Sequence, residues 1–308
     1  MSDVRRLRVG TRGSALARIQ TRIVTSGFMT DLPVDVVVIE TEGDDVSIPL
    51  SSAGRPGVFV GALRSALLAG DVDVIVHSYK DLPTASIEGV VLGAVPVRAD
   101  PRDAIVARRG ATLGGLTPGA VVGTSSPRRA ARVRHLRPDV QVRPIRGNVD
   151  TRLRLVDEGV FDAVILAVAG LQRLERSDAI TEVLSIDEMI PAPAQGALAV
   201  ECRQSDDVSR RLLGDLDHPE SRICAAAERA VLAGLATGCQ TALGALATHR
   251  AGRLRLIAEL SDPVDDEHER HVLETVSAVD DEASARDLGL EMARRFSQGS
   301  IIRRWGQS

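Results

Sequence analysis

The stretch V-V-G-T-S-S-P-R-R, residues 121–129, decides how the chain is read. A short apolar run of strand type stops at a Thr/Ser turn, and the turn opens a helix. Ser126 suits the cap that accepts from free backbone N–H groups, and Pro127 suits the first helical turn, where no N–H is needed. The same grammar stands near the N-terminus. There L-R-V-G-T (7–11) reads as a buried strand, and T-R-G-S (11–14) as the turn into a helix from Ser14 to Leu32 carrying Leu16, Ile19, Ile23 and Val24 on its apolar side. V-D-V-V-V-I-E (34–40) follows as a second strand. Strand, helix, strand is the repeating unit of an α/β protein.

Outward from these two turns the pattern continues. Residues 41–57 lack periodicity and hold three Gly and two Pro, so they read as a long loop of the kind that acts as a lid over a site. A helix over about 58–69 and a strand D-V-I-V-H-S (73–78) complete the first round. The second begins near Pro101, with strands around 103–108 and 120–125, a helix after Pro127, a strand at 140–145, a helix from Asn148 and a strand at 162–168. P-A-P-A-Q-G-A-L-A-V-E-C (191–202) reads as a linker and a strand able to cross back to the first round. The last third changes character. An Ala-rich helix over 219–237 is broken by T-G-C-Q-T, strands follow near 241–249, 253–260 and 270–277, and a helix runs over 281–297, the pattern of a small α+β domain.

The 308 residues give room for two or three domains, each with its own core. No apolar run has the length of a signal peptide or a membrane span, which predicts a cytoplasmic protein without membrane contact. Aromatic residues make up 2% of the chain, too few stacking surfaces for broad single-strand nucleic-acid binding. The three cysteines form no CxxC pair, arguing against a disulfide framework, and no His or Cys stands at metal-ligand spacing. Cys202 in a strand pattern and Cys224 on a helix read as buried and inert, and His77 as a core residue.

Charge is unevenly spread. The net formal charge is −4, yet residues 98–154 hold thirteen Arg against four acids, Asp100, Asp103, Asp139 and Asp150. A basic surface within an acidic body points to a partner with several negative groups. Arg128 and Arg129 stand at a helix start, where backbone N–H groups already favour anions and planar guanidiniums can grip carboxylate or phosphate. An ordinary capped helix with exposed arginines is the other reading. Arg146 and Arg152 open the next helix similarly, and Arg12 the first. This fits the rule that ligands sit beyond the carboxyl ends of strands in open α/β sheets. The chain's single lysine, Lys80, stands beside Asp81 in H-S-Y-K-D (77–81), at the end of an apolar strand. The pair reads either as a structural contact or as a site carboxylate that stabilises developing positive charge. Cys239, after Gly238, stands where a thiol can serve as nucleophile or covalent attachment point.

Together these motifs resemble one family, the porphobilinogen deaminases. The resemblance is carried by T-R-G-S (11–14), H-S-Y-K-D-L-P (77–83), D-P-R-D-A (100–104), V-G-T-S-S-P-R-R (122–129), I-R-G-N-V-D-T-R-L (145–153), I-L-A-V-A-G-L-Q-R-L (165–174), Q-G-A (195–197) and G-C-Q (238–240). It implies an α/β fold of three domains, the first two similar to periplasmic-binding-protein halves with mixed sheets and the third a small α+β domain. Their expected bounds are 1–98 with about 196–216, 99–195, and 217–308. It implies a dipyrromethane cofactor held through Cys239 by a thioether, and Asp81 as the catalytic carboxylate. It assigns Lys80, Asp81, Thr124, Ser125, Ser126, Arg128 and Arg129 to the cofactor, and Arg12, Ser14, Arg146, Arg152, Arg173 and Gln195 to porphobilinogen and the growing polypyrrole. It further implies a monomer. The chain departs from the family pattern at Pro127, where Leu is usual, at Arg55-Pro56-Gly57, and at Thr237 before Gly238. A two-lobed anion-binding protein without catalysis is the competing reading. It would need the arginines but neither Asp81 nor Cys239.

Overall fold

The computed structural model describes residues 6–28, 32–40, 60–235, 242–261 and 270–298. The expected lid loop 41–57 and the T-G-C-Q-T segment, with Cys239, lie outside the described residues. The chain divides into two compact units, Met1–Ala99 with Ala197–Arg222, and Asp100–Gly196 with Ile223–Ser308.

In the first unit β1 (Leu7–Thr11), α1 (Ala15–Ser26), β2 (Val34–Val38), α2 (Gly61–Ala69) and β3 (Val74–Ser78) follow the expected order. The helix α1 stops earlier than its apolar periodicity predicts, at Gly27, whose N–H returns to the carbonyl of Val24. Two further strands complete a five-stranded sheet, β4 (Val90–Ala94) and β10 (Leu198–Arg203), in the order β2-β1-β3-β10-β4. The strands β1, β2 and β3 are parallel, and β10 runs antiparallel to both of its neighbours. Alternate residues of these strands serve opposite faces. Val9, Val74, Val76, Leu198 and Val200 fill one core, while Ile75 joins Leu63, Leu67 and Val72 in another. A fully buried aliphatic side chain of this kind contributes about 1.5–3 kcal/mol, so short apolar strands covered on both sides are self-consistent.

The second unit repeats the arrangement with β5 (Asp103–Ala107), β6 (Val121–Gly123), β7 (Gln141–Arg143), β8 (Ala163–Ala167) and β9 (Glu182–Val183) in the order β7-β6-β8-β5-β9. Here β6, β7 and β8 are parallel, and β5 is the antiparallel fourth strand. The helices α3 (Pro127–Leu136), α4 (Val149–Asp157) and the short α5 (Val168–Arg173) follow β6, β7 and β8. Ile105, Val122 and Ile165 face one core, and Val106, Val164 and Leu166 the other.

After β10 come α6 (Asp207–Gly214) and α7 (Pro219–Leu235). The C-terminal part of the second unit is a three-stranded antiparallel sheet of β11 (Ala242–Arg250), β12 (Arg253–Ser261) and β13 (Arg270–Ala278), followed by α8 (Glu282–Gln298). The two residues between β11 and β12, Ala251 and Gly252, both have positive φ, 50° and 69°, as a two-residue hairpin demands. Leu254, Leu256, Ala258 and Leu260 turn inward to meet Val231, Met292 and Phe296 of the two helices. The fold is therefore α/β with two mixed sheets and a small α+β part, as the motifs imply.

Candidate anion-binding site

In the second unit the carboxyl end of β6 runs straight into α3. Each hydroxyl of the T-S-S turn has local work: Thr124 Oγ1 accepts from the Ser126 N–H at 3.2 Å, and Ser126 Oγ accepts from the Arg129 N–H at 3.5 Å. Ser125 Oγ donates to the Ile145 carbonyl at 2.6 Å and accepts from the Ile145 N–H at 3.0 Å, tying this turn to the one after β7. Thr124 is buried, Ser125 is exposed and Ser126 lies between.

Arg128 and Arg129 are not exposed arginines at a helix mouth. They are 4% and 7% exposed, and both close on Asp103, which is fully buried at the start of β5. Arg128 Nη2 lies 2.8 Å from Asp103 Oδ2, while Arg129 donates to Oδ1 from Nε at 3.0 Å and Nη2 at 2.7 Å. Each guanidinium also holds a carbonyl, Arg128 that of Ile190 and Arg129 that of Ile165. Gln195, 1% exposed, donates to Asp103 Oδ1 at 3.0 Å and to the Pro101 carbonyl at 2.7 Å. Burial pushes the Asp103 carboxyl up, but the two guanidiniums and Gln195 outweigh it and hold the group at about 2. Two guanidiniums thus share Asp103 in a dry place, and the charge of Glu259 also acts on Arg128.

Two more cations border this knot. Arg152, on the first turn of α4, is half-buried and donates to the Gly147 carbonyl at 2.9 Å; burial and then the charge of Arg129 push its pKa down. Arg173, at the end of α5, donates to the Gly196 carbonyl at 2.8 Å, and burial lowers it to about 10. Among the described residues neither has a carboxylate partner within ion-pair distance. Asn148 caps α4 by accepting from the Thr151 N–H at 2.9 Å, and Gly147 takes a φ of 100° that a side chain would strain. Arg146 is exposed on the same turn. Desolvated cations beside helix N-termini bind groups that carry several negative charges. The residues therefore fit a cofactor that bears carboxylates.

In the first unit, Arg12 and Ser14 follow β1, and Lys80 and Asp81 occupy the single 3-10 turn after β3. Since β1 and β3 are adjacent and parallel, these residues emerge at one end of one sheet. Ser14 Oγ caps α1, accepting from the Ala17 N–H at 3.3 Å. Lys80 is half-buried and Asp81 exposed. Below them Glu201, 5% exposed, receives two hydrogen bonds from Arg64, at 2.9 and 2.6 Å, and lies 3.3 Å from His77 Nε2. His77 is thus a core residue with a partner. Burial alone would raise Glu201, but Arg64 and His77 bring it to about 2. Cys202 and Cys224 are buried, and burial pushes the Cys202 thiol up to about 11, so it is inert at neutral pH.

The structure thus gathers Arg128, Arg129 and Gln195 around Asp103, with Arg152 and Arg173 close by, and separately groups Arg12, Ser14, Lys80 and Asp81. Sequence reasoning counted Asp103 only as one of four acids in a basic stretch. Its place in D-P-R-D-A, just before an apolar strand, was the available signal.

Cation-rich turns at the carboxyl ends of mixed α/β sheets define an anion-binding protein. Comparison with known proteins narrows the class. Residues 7–211 match the family described as "Porphobilinogen deaminase, dipyromethane cofactor binding domain", and residues 222–298 match "Porphobilinogen deaminase, C-terminal domain". The porphobilinogen deaminase of Mycobacterium tuberculosis (strain ATCC 25618 / H37Rv) is 44% identical, covering 97% of this chain and 99% of that protein. The porphobilinogen deaminase of Thermobifida fusca (strain YX) is 51% identical over 82% of this chain and 80% of its own. Among solved structures the Bordetella pertussis BvgS periplasmic VFT2 domain aligns with a TM-score of 0.42 and 15% identity, over 70% of this chain and 88% of that one, a likeness too slight to support any statement. The chain belongs to the porphobilinogen deaminase family. It is accordingly a transferase of tetrapyrrole biosynthesis with that family's dipyrromethane-binding domain.

Proposed function

We propose that the chain is a hydroxymethylbilane synthase. It condenses four porphobilinogen molecules head to tail with loss of ammonia and releases linear hydroxymethylbilane by hydrolysis. The observation that carries this reading is the surplus of desolvated guanidinium in the second unit, where Arg152 and Arg173 stand without carboxylate partners among the described residues beside a buried knot of two arginines and one acid. Each porphobilinogen carries an acetate and a propionate, so a growing chain is a ladder of carboxylates that such cations bind and neutralise. Bound through a thioether to Cys239, dipyrromethane supplies the primer from which that chain extends.

Lys80, Asp81, Thr124, Ser125, Ser126, Arg128 and Arg129 hold the cofactor on this reading. Arg12, Ser14, Arg146, Arg152 and Arg173 take substrate and product carboxylates. Gln195 serves the same end through the ion pair that it borders. Asp81 is the catalytic group. Its exposed carboxylate accepts from a pyrrole N–H and stabilises the positive charge left on the substrate ring as ammonia departs, a role within the 10²–10⁴-fold range of positioned acid–base groups. The protein works as a cytoplasmic monomer, which light scattering checks.

The intact mass of the denatured protein tests the assignment. An adduct of two pyrrole units is expected on the native chain and absent from Cys239→Ser, and active protein of bare sequence mass removes the reading. Asp81→Asn keeps the adduct and loses about 10²–10⁴-fold in turnover; near-normal turnover removes Asp81 from catalysis.

A further inference from the structure

On α7 Glu228 follows a run of buried alanines, Ala225, Ala226 and Ala227. Glu228 has no exposure, and its two oxygens reach two distant pieces of backbone. Oε2 accepts from the Ala194 N–H at 2.6 Å, and Oε1 accepts from the Ala247 N–H on β11 at 2.8 Å. The Ala194 contact falls on a demanding stretch of chain. Ala194 has a φ of 59° and Gly196 one of 88°, so Gln195 sits between two left-handed residues. For a residue with a Cβ that conformation is unfavourable and persists only where the surroundings fix it. Gln195 in turn bonds Asp103 and the Pro101 carbonyl, bordering the Arg128–Arg129 pair. In sequence, Cys239 lies between the end of α7 at Leu235 and the start of β11 at Ala242.

We infer that Glu228 is a positioning residue. It fixes the helix that enters the cysteine-bearing segment, the strand that leaves it and the Gln195 turn in one arrangement, so that a chain tethered at residue 239 grows from a set origin relative to the guanidinium pair. The attachment at Cys239 rests on the function proposed above; the clasp between α7, β11 and the Gln195 turn does not. A buried side chain that accepts two backbone N–H groups is well suited to this task, because both bonds lie away from water.

The test is Glu228→Gln, which keeps the shape and one acceptor but sets an NH2 group against a backbone N–H. Amide hydrogen exchange is read in the Cys239→Ser background, which carries no cofactor. Ala194 should exchange at least about tenfold faster, one bond being worth about 1.4 kcal/mol or more, while Leu256 on β12 stays unchanged. In the chain with Cys239, the adducted fraction should fall. In adducted enzyme kcat should drop by about 10–100-fold with a smaller change in KM, the mark of misplacement rather than lost binding. Unchanged exchange at Ala194 overturns the clasp. Faster exchange with unchanged adduct and kcat overturns the positioning role. Should the variant fail to fold, wild-type exchange decides: Ala194 and Ala247 are expected to open at one common rate, and separate rates overturn the proposal. Absence of the adduct from the wild type counts against the proposed function and leaves the exchange result standing.

Discussion

The two mixed sheets have the same strand order and the same sequence of parallel and antiparallel pairings, and in both the antiparallel fourth strand carries a buried acid. It is Glu201 on β10 in the first unit and Asp103 on β5 in the second. The surroundings differ. Glu201 meets one guanidinium and a histidine, and the contact ties α2 and β3 to β10. Asp103 meets two guanidiniums, both on the first turn of a helix, and the charge of Arg129 acts in turn on Arg152. One topology thus yields a stitch with one guanidinium in one unit and a stitch with two in the other.

This contrast can be broken most directly by Asp103→Asn, which strands two buried cations. A loss toward the upper end of about 3–5 kcal/mol is expected in urea unfolding followed by circular dichroism. Glu201→Gln, which strands one guanidinium, should lie toward the lower end of that range. Equal losses would mean that the count of cations is not what distinguishes the units. Acid should reveal the same two groups in the unmodified protein. Both carboxyls sit at about 2 in the folded state, below the usual 3.8 and 4.5. Their stabilisation is therefore complete above those ordinary values and disappears as pH falls from about 5 through 2. Each contributes about 2–3 kcal/mol over that window, read as a falling urea midpoint. A midpoint insensitive to pH between about 5 and 2 would contradict the pairings. The smallest effect belongs to Arg255 and Glu274 on the C-terminal sheet, paired at 2.7 Å with side chains 47% and 45% exposed. Glu274→Gln should leave the urea midpoint almost unchanged, and any difference should fade in salt.

Much of the first sheet could be read from local pattern. The runs at 7–11 and 74–78 announce themselves through short clusters of aliphatic residues that end at a polar turn. The turns at 11–14 and 124–127 announce their helices through Ser14 and Ser126, whose capping bonds are present. By contrast, V-V-L-G-A at 90–94 is not read as a strand, since its partner among the described residues, β10, lies more than a hundred residues on, and Gly93 is required by Leu213 of α6 packing against it. α6 itself was missed, being eight residues long. At the site, the arginines at 128, 129, 152 and 173 were legible as cations at strand-to-helix turns. Their division into paired and unpaired members was not, because Asp103 is 25 and 26 positions from the two that it binds.

By itself the sequence determined the α/β alternation, the capped helix starts, the concentration of arginine in residues 98–154, the solitary Lys80 beside Asp81 and the family motifs around Cys239. Each depends on neighbours within a turn or a strand, so local chemistry suffices. The tertiary structure decided how those charges are partnered. It buried Arg128 and Arg129 against Asp103, left Arg152 and Arg173 without carboxylate partners among the described residues, and sent Glu228 to two backbone N–H groups on separate elements. The reason is physical: whether an ionic group binds a ligand or holds the fold depends on its desolvation and its partner, and both are set by segments that meet only on folding.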